Sequence, residues 1–205
     1  MFETLELRRM LSGAVEIGLV SPGPGVCTGD QVQLRMQTGA PSEPGGGQGT
    51  IGEVAPLSAA EVTGLLTNVR EEKLARDVYN AMYTQWGSPI FRNIANAEQQ
   101  HLNAVATLLD RYDVPNPVAG LPAGVFDDPA VQQAYDQFVA RGNQSVLEAM
   151  RVGVEIERQD IQMLQQSLRT ATHRDIRTVY SNLLAASRTH LAAFRTQVIR
   201  LEALE

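Results

Sequence analysis

Glu98 and His101 stand three residues apart in a stretch whose apolar residues recur at helical spacing. Side chains three apart on a helix share a face, so a carboxylate and an imidazole meet here. On a wheel at about 100° per residue, Ile90, Ile94, Ala97, Val105, Leu108, Leu109 and Tyr112 form the apolar face. Glu98 and His101 fall within about 30° of its middle, and Gln99, Gln100, Asn103 and Asp110 fall on the other side. The pattern recurs near the C-terminus. There Ile176, Val179, Tyr180, Leu183, Phe194, Val198 and Leu201 form a stripe that includes His190, with Ser187 near its centre. Glu72 lies inside the stripe of Leu65, Val69, Tyr79 and Met82, and Glu71 is nearer its edge. Glu157 lies at the centre of the stripe of Val146, Met150, Ile161, Leu164 and Leu168, with Asp160 on its flank. Glu148 and Glu155 point the opposite way and are excluded.

Burying one ionised carboxylate alone is very costly. Three or four of them with two imidazoles, and no Lys or Arg assigned to the same centre, require positive charge from elsewhere. A pair of metal ions supplies it. Carboxylate oxygens with imidazole suit iron best here, with manganese or zinc as further candidates. The expected ligands are Glu72, Glu98, His101, Glu157 and His190, with Asp160 as a sixth candidate. An internal repeat points the same way: Asn93-Ile-Ala-Asn-Ala-Glu-Gln-Gln-His-Leu aligns with Asn182-Leu-Leu-Ala-Ala-Ser-Arg-Thr-His-Leu. The Asn, the second Ala, the His and the Leu coincide, so His101 and His190 hold equivalent places. Ser187 stands where the first copy has Glu98, so one bridging carboxylate is missing. Asp160, one turn from Glu157, either takes that place or hydrogen-bonds a ligating His.

The elements that must position these groups are helices. Ser58 and Glu61 form a capping box that opens a helix running to about Trp86, where Gly87-Ser-Pro breaks it. A second helix is expected from about Pro89 to Tyr112, ended by Val114-Pro-Asn-Pro. A loop through Gly120 to Phe126 leads to a short helix at about 129–141, closed by Gly142. Two further long helices are expected at about 145–168 and 174–204. No convincing β pattern exists. The longest connection precedes the third long helix. The fold class expected is therefore all-α: a ferritin-like four-helix bundle over 57–205, with a short extra helix in its middle connection.

Residues 1–56 differ. The stretch from Ser21 to Pro56 contains SPGPG and GAPSEPGGGQG without a sustained period, which reads as a disordered, flexible arm. Arg8 and Arg9 followed by a mildly apolar run have an export-like character, interrupted by Glu16. FETLELRRMLSG resembles the LEPR-LL-type N-terminal segment of large exported bacterial proteins, with Leu7 where that pattern has proline. Both a cytoplasmic and an exported location agree with this arm. The single cysteine, Cys27, forms no internal disulfide and no Cys-based metal cluster, and is read as incidental. A net charge of −6 gives no electrostatic footprint for nucleic acid. No apolar run of 18 or more residues offers a transmembrane segment. Tyr79, Tyr83, Met82, Met150 and Met163 are read as core packing, and His173, after a break at 170–172, as a surface residue.

Four stretches resemble a ferritin-like family of bacteria and archaea known as domain of unknown function 2202. They are EEKLARDVYNAMYTQWGSPIFRNIANAEQQHLNAVATLLDRYDV, GVFDDPAVQQAYDQFVARGNQS, VGVEIERQDI and SNLLAASRTHLAAF, together covering most of 57–200. The resemblance implies a dinuclear metal site carried by Glu72, Glu98, His101, Glu157 and His190, and it implies no particular activity. Three functions follow as expectations. The first is a di-iron carboxylate protein that reacts Fe(II) with dioxygen or peroxide, as a ferroxidase, peroxidase or oxidase. The second is a metal-sequestering module without turnover. The third is a structural bundle with a buried polar network. Metal ions and dioxygen or peroxide are the expected partners, and a homodimer is compatible with the sequence.

Overall fold

The computed structural model describes residues 55–204, all of them helix or connecting turn and loop, with no strand among them. The arm, the export-like stretch, the LEPR-LL-type segment and Cys27 lie outside the described residues. Five helices follow in order: α1 (Ala59–Trp86), α2 (Pro89–Arg111), α3 (Pro129–Gly142), α4 (Val146–Thr170) and α5 (Arg174–Glu202). Their ends follow local chemistry. The Ser58–Glu61 capping box opens α1, and Gly87, at φ 63°, closes it in the left-handed conformation. Pro89 opens α2 without losing an intrahelical hydrogen bond. The side chains of Asp128 and Ser145 accept from Ala130 N and Glu148 N to cap α3 and α4.

The four long helices pack as a bundle, α1 against α2 and α4 against α5, with α1–α4 and α2–α5 contacts joining the pairs. Hydrogen bonds at the ends fix the directions. Trp86 Nε1, at the C-terminal end of α1, donates to Gly142 O, just before α4 begins. Glu61, at the other end of α1, accepts from Thr172 N and His173 N, just past the end of α4. Tyr112, which caps α2, donates to Asp175 in the first turn of α5. Packed neighbours are thus antiparallel. The segment between α2 and α4 must cross the length of the bundle, roughly 40 Å for helices of this size.

The crossing segment carries α3 and is fastened to α1. Lys73 Nζ donates to Pro122 O at 2.8 Å and lies 4.4 Å from the centroid of the Phe126 ring. Asp77 Oδ2 accepts from Gly124 N at 3.0 Å. Gly124 has φ 74°, and a Cβ there would stand 2.8 Å from the Tyr135 hydroxyl, so the turn demands glycine.

Apolar packing divides into two clusters. One includes Tyr79, Phe91, Ile94, Ile156 and Phe194; the other includes Leu65, Val105, Leu109, Leu164 and Tyr180. On each long helix a short polar interval separates the two sets: Glu72 on α1, Glu98 on α2, Glu157 and Asp160 on α4, Ser187 on α5. The bundle therefore has a polar waist between two apolar halves.

Candidate metal centre

Glu98 is the hinge of that waist. Its Oε2 lies 2.6 Å from His101 Nδ1, and its Oε1 lies 2.9 Å from His190 Nδ1. His101 Nδ1 also approaches Glu72 Oε2 at 3.4 Å, and His190 Nδ1 approaches Glu157 Oε1 at 3.7 Å. Two ligand sets result, Glu72–Glu98–His101 and Glu98–Glu157–His190, each with donor atoms within 4.8 Å of one another. Glu98 belongs to both. The two imidazoles stack with centroids 5.8 Å apart. Each of the five groups comes from the position that helical periodicity predicts, and all four long helices contribute.

The electrostatics show a centre short of cations. Burial raises the Glu72 carboxyl well above its usual range, and the Asp160 and Glu98 carboxylates push it further. Burial likewise raises Glu157 and Asp160. Burial also opposes ionisation of Glu98, but the hydrogen bonds of His101 and His190 outweigh it and hold this carboxyl below the usual range. Burial would lower His190, yet the Glu157 and Glu98 carboxylates bring it up to about 9. Glu98 is thus held toward its ionised form between two imidazoles, Glu157 draws on His190 alone, and Glu72 and Asp160 are opposed chiefly by burial and by neighbouring acids.

The unpaired atoms fit a bound cation. Glu72 Oε1 and Asp160 Oδ1 are sealed from solvent without a hydrogen-bond partner. Buried polar atoms are almost always paired, so these two oxygens have room for a partner. Oxygen and imidazole donors of this kind suit iron, manganese or zinc. The carboxylates face no Lys or Arg among the described residues: Lys73 is engaged with Asp77, Arg76 with Asp77 and Gln99, and Arg70 with Asp127.

Supporting contacts were only partly foreseen. Tyr79 was expected to be packing, and its ring does meet Phe91 and Phe194 with centroids 6.5 and 5.1 Å away. Its hydroxyl also donates to Glu157 Oε1 at 2.8 Å, orienting that carboxylate. Asp160 feels the charge of His101, but no hydrogen bond or ion pair joins it to either His among the described residues. Its Oδ2 accepts from the Ser187 hydroxyl at 2.5 Å, so the serine at the position equivalent to Glu98 hands over to an acid from α4. Glu148 and Glu155 are, as expected, away from the centre, paired with Arg151 and Arg141.

Two expectations need correction. Glu71, placed nearer the edge of its stripe, is in fact buried as fully as the stripe itself. The crossing segment covers the face of α1 that a simple wheel leaves to water. His173 is not a free surface residue. Its Nδ1 lies 2.8 Å from Glu61 Oε1 and its Nε2 lies 3.1 Å from Ala55 O. It sits in the turn before α5, where helical periodicity carries no information. The same gap hid the Lys73–Asp77 pair, whose one available signal was its i,i+4 spacing on α1.

Comparison with known proteins adds relatives without adding a chemistry. The family model described as "Uncharacterized protein domain (DUF2202)" matches residues 61–203. "Uncharacterized protein MJ0754" of Methanocaldococcus jannaschii is 42% identical over 139 residues, 68% of this chain and 75% of that protein. The crystal structure titled "hypothetical protein MJ0754 from Methanococcus jannaschii DSM 2661" superposes with a TM-score of 0.71 at 39% identity. That match covers 73% of this chain and 86% of the other.

Proposed function

The chain belongs to the DUF2202 family, and on that premise we propose that it is a ferritin-like four-helix bundle that binds a pair of metal ions and reacts Fe(II) with dioxygen or peroxide. The observation that carries this reading is Glu98, which offers one carboxylate oxygen to each of two His-containing ligand sets. A carboxylate shared in that way is the arrangement a metal pair requires. The bundle supports the comparison with ferritin-like folds through its antiparallel neighbours and its single long crossing between the second and third long helices.

The roles of the residues follow. Glu72 and His101 would hold one ion, Glu157 and His190 the other, and Glu98 would bridge them. Two ferrous ions bound side by side would supply two electrons to an O–O bond. Tyr79 holds the Glu157 carboxylate in place from the apolar side. Phe91 and Phe194, centroids 5.8 Å apart, pack with Tyr79 and keep water from that side. A Cβ at Gly153 would stand 2.7 Å from the Phe194 ring, so this glycine lets the aromatic close over the waist. On the other flank the Ser187–Asp160 hydrogen bond keeps an acid beside the centre.

The test is metal content by mass spectrometry after aerobic Fe(II) loading, with oxygen uptake followed in parallel. Native protein should retain about two irons per chain, and the Glu98→Ala/His101→Ala double variant few or none. Repeated oxygen uptake with added Fe(II) supports turnover. Iron retained without oxygen uptake would leave sequestration and remove the oxidation step. Little metal in either protein would make the waist a structural network.

A further inference from the structure

The groups of the waist are not equally sealed. The side chains of Glu72, Glu98 and Glu157 are 1%, 4% and 2% exposed, whereas those of His101 and His190 are 14% and 12% exposed. Among the described residues, solvent therefore reaches the centre along the imidazoles, where α2 faces α5. The other seams are bridged by side chains at this height. Tyr79 donates to Glu157 between α1 and α4, the Ser187 hydroxyl donates to Asp160 between α5 and α4, and Arg76 donates to Gln99 between α1 and α2. The join of α2 to α5 is also the thinnest of the four between packed long helices. Small residues line it. Ala97 and Ala104 stand four before and three after His101, and Ala186 and Ala193 four before and three after His190. Such spacings put each alanine pair on the face of its histidine, and all four alanines are half-buried. Because α2 and α5 are antiparallel, Ala97 and Ala193 border the rings on one side, and Ala104 and Ala186 on the other. Farther along the same faces larger side chains return, Ile90 and Leu108 on α2 and Val179 on α5.

We propose that the seam between α2 and α5 is the port of the paired centre. Metal ions, and small oxidants after them, enter past the His101 and His190 rings, and Ala97, Ala104, Ala186 and Ala193 keep that way open. The inference rests on the paired reading of the waist and adds the route to it. The two rings, centroids 5.8 Å apart, stand between solvent and Glu98, the carboxylate that both of them contact. An arriving cation thus meets the imidazoles first and the shared carboxylate behind them, donors that iron, manganese and zinc all accept. Alanine brings no side chain that must move for an ion to pass. A leucine at any of the four positions puts a branched chain beside the rings.

Rates of Zn(II) entry and exit test the port. Entry into full-length, metal-free protein is followed in stopped flow with a fluorescent zinc indicator, and exit by a chelator chase. Ala97→Leu, Ala104→Leu and Ala186→Leu should each slow entry and exit by the same factor, about tenfold where a leucine has to move aside. The zinc bound at equilibrium should stay at the native amount. A residue that only supported a ligand would change the amount bound, or exit alone. Ala185→Leu and Ala192→Leu, on the exposed face of α5, should leave both rates native. The port variants are independent, so one that fails to fold leaves the others to decide. Native rates in every port variant that folds, or faster exit without slower entry, overturn the port while the zinc content still supports the pair. Native protein that binds no zinc overturns the pair and the port with it.

Discussion

Glu72 and Lys73 are adjacent on α1 and each is 1% exposed, yet they enter two different kinds of polar interior. Lys73 meets Asp77 at 2.5 Å, donates to Pro122 O and faces the Phe126 ring. Asp77 in turn accepts from Arg76 Nε at 2.8 Å and from Gly124 N at 3.0 Å. Each charge in this clamp has its counter-charge and its hydrogen bonds within the protein. Across the helix, Glu72 shares its surroundings with Glu98, Glu157 and Asp160, and one of its oxygens has no partner. A self-neutralised cluster needs nothing further and can be explained by fold alone. A cluster in which acids outnumber bases, and in which buried oxygens stay unpaired, has donors to offer to the cations of the proposed function.

The largest effect should come from breaking the clamp. Asp77→Ala leaves Lys73 buried without its counter-charge and frees the crossing segment at Gly124. Removing one partner of a buried ion pair typically costs about 3–5 kcal/mol. Urea unfolding of the metal-free variant should show a loss of that order, while the metal bound per folded chain stays near the native value. A loss of metal larger than the loss of folded protein would mean that clamp and centre are one unit, and the contrast between them would fail.

The two clusters also differed in how far the sequence revealed them. Glu98, His101, Glu157 and His190 were legible because α2, α4 and α5 each bury one stripe. A polar residue at the middle of such a stripe has nowhere else to face. Helix α1 does not follow that rule. Glu71, Glu72, Lys73, Leu74 and Ala75 are buried in succession, because the crossing segment and α3 cover the side opposite the waist. A wheel with one apolar face therefore placed Glu72 correctly and left Glu71 to solvent. The helices and their order could be read from capping and breaking residues: Ser58, Gly87, Pro89 and Gly142 fall at or within a residue of the observed ends. The path of the crossing segment could not be read this way. It depends on contacts such as Arg70–Asp127 and Lys73–Pro122, which join residues about fifty positions apart.

A smaller effect of opposite sign is expected inside the waist. Glu72→Gln removes an acid whose carboxyl is already pushed up by burial and by neighbouring carboxylates, and the amide brings a donor to acids that lack one. In metal-free protein the substitution should leave stability unchanged or raise it by about 1 kcal/mol. In metal-loaded protein it should cost metal. Urea curves with and without chelator measure both. If Glu72→Gln destabilised the metal-free chain as Asp77→Ala does, the waist would be a satisfied structural network and its apparent need for a cation would disappear.

The smallest effect concerns a third polar cluster, which behaves like the clamp. Glu61 accepts from Ser58, Thr172 and His173, and both ring nitrogens of His173 face acceptors, Glu61 Oε1 and Ala55 O. Asp175 adds negative charge beside His173, and Tyr112 meets its ring edge-on with centroids 5.3 Å apart. An imidazolium donates from both nitrogens and satisfies both acceptors, in keeping with a His173 raised above its usual value, chiefly by Glu61. A base raised by folding stabilises the protein fully below its unfolded value, near 6.5, and loses that contribution as pH rises through the folded value. Glu61, depressed because its hydrogen bonds outweigh the burial that would raise it, contributes above its unfolded value near 4.5 and fails only in stronger acid. His173→Ala should therefore cost most at about pH 6, on the order of 1 kcal/mol as for other helix-start contacts. The difference from native protein should shrink as the pH is raised past the folded value. Thermal melts of both proteins across that range decide it. A difference that grew with pH would mean that neutral His173 holds the junction, and that only the Lys73 clamp carries its own cation.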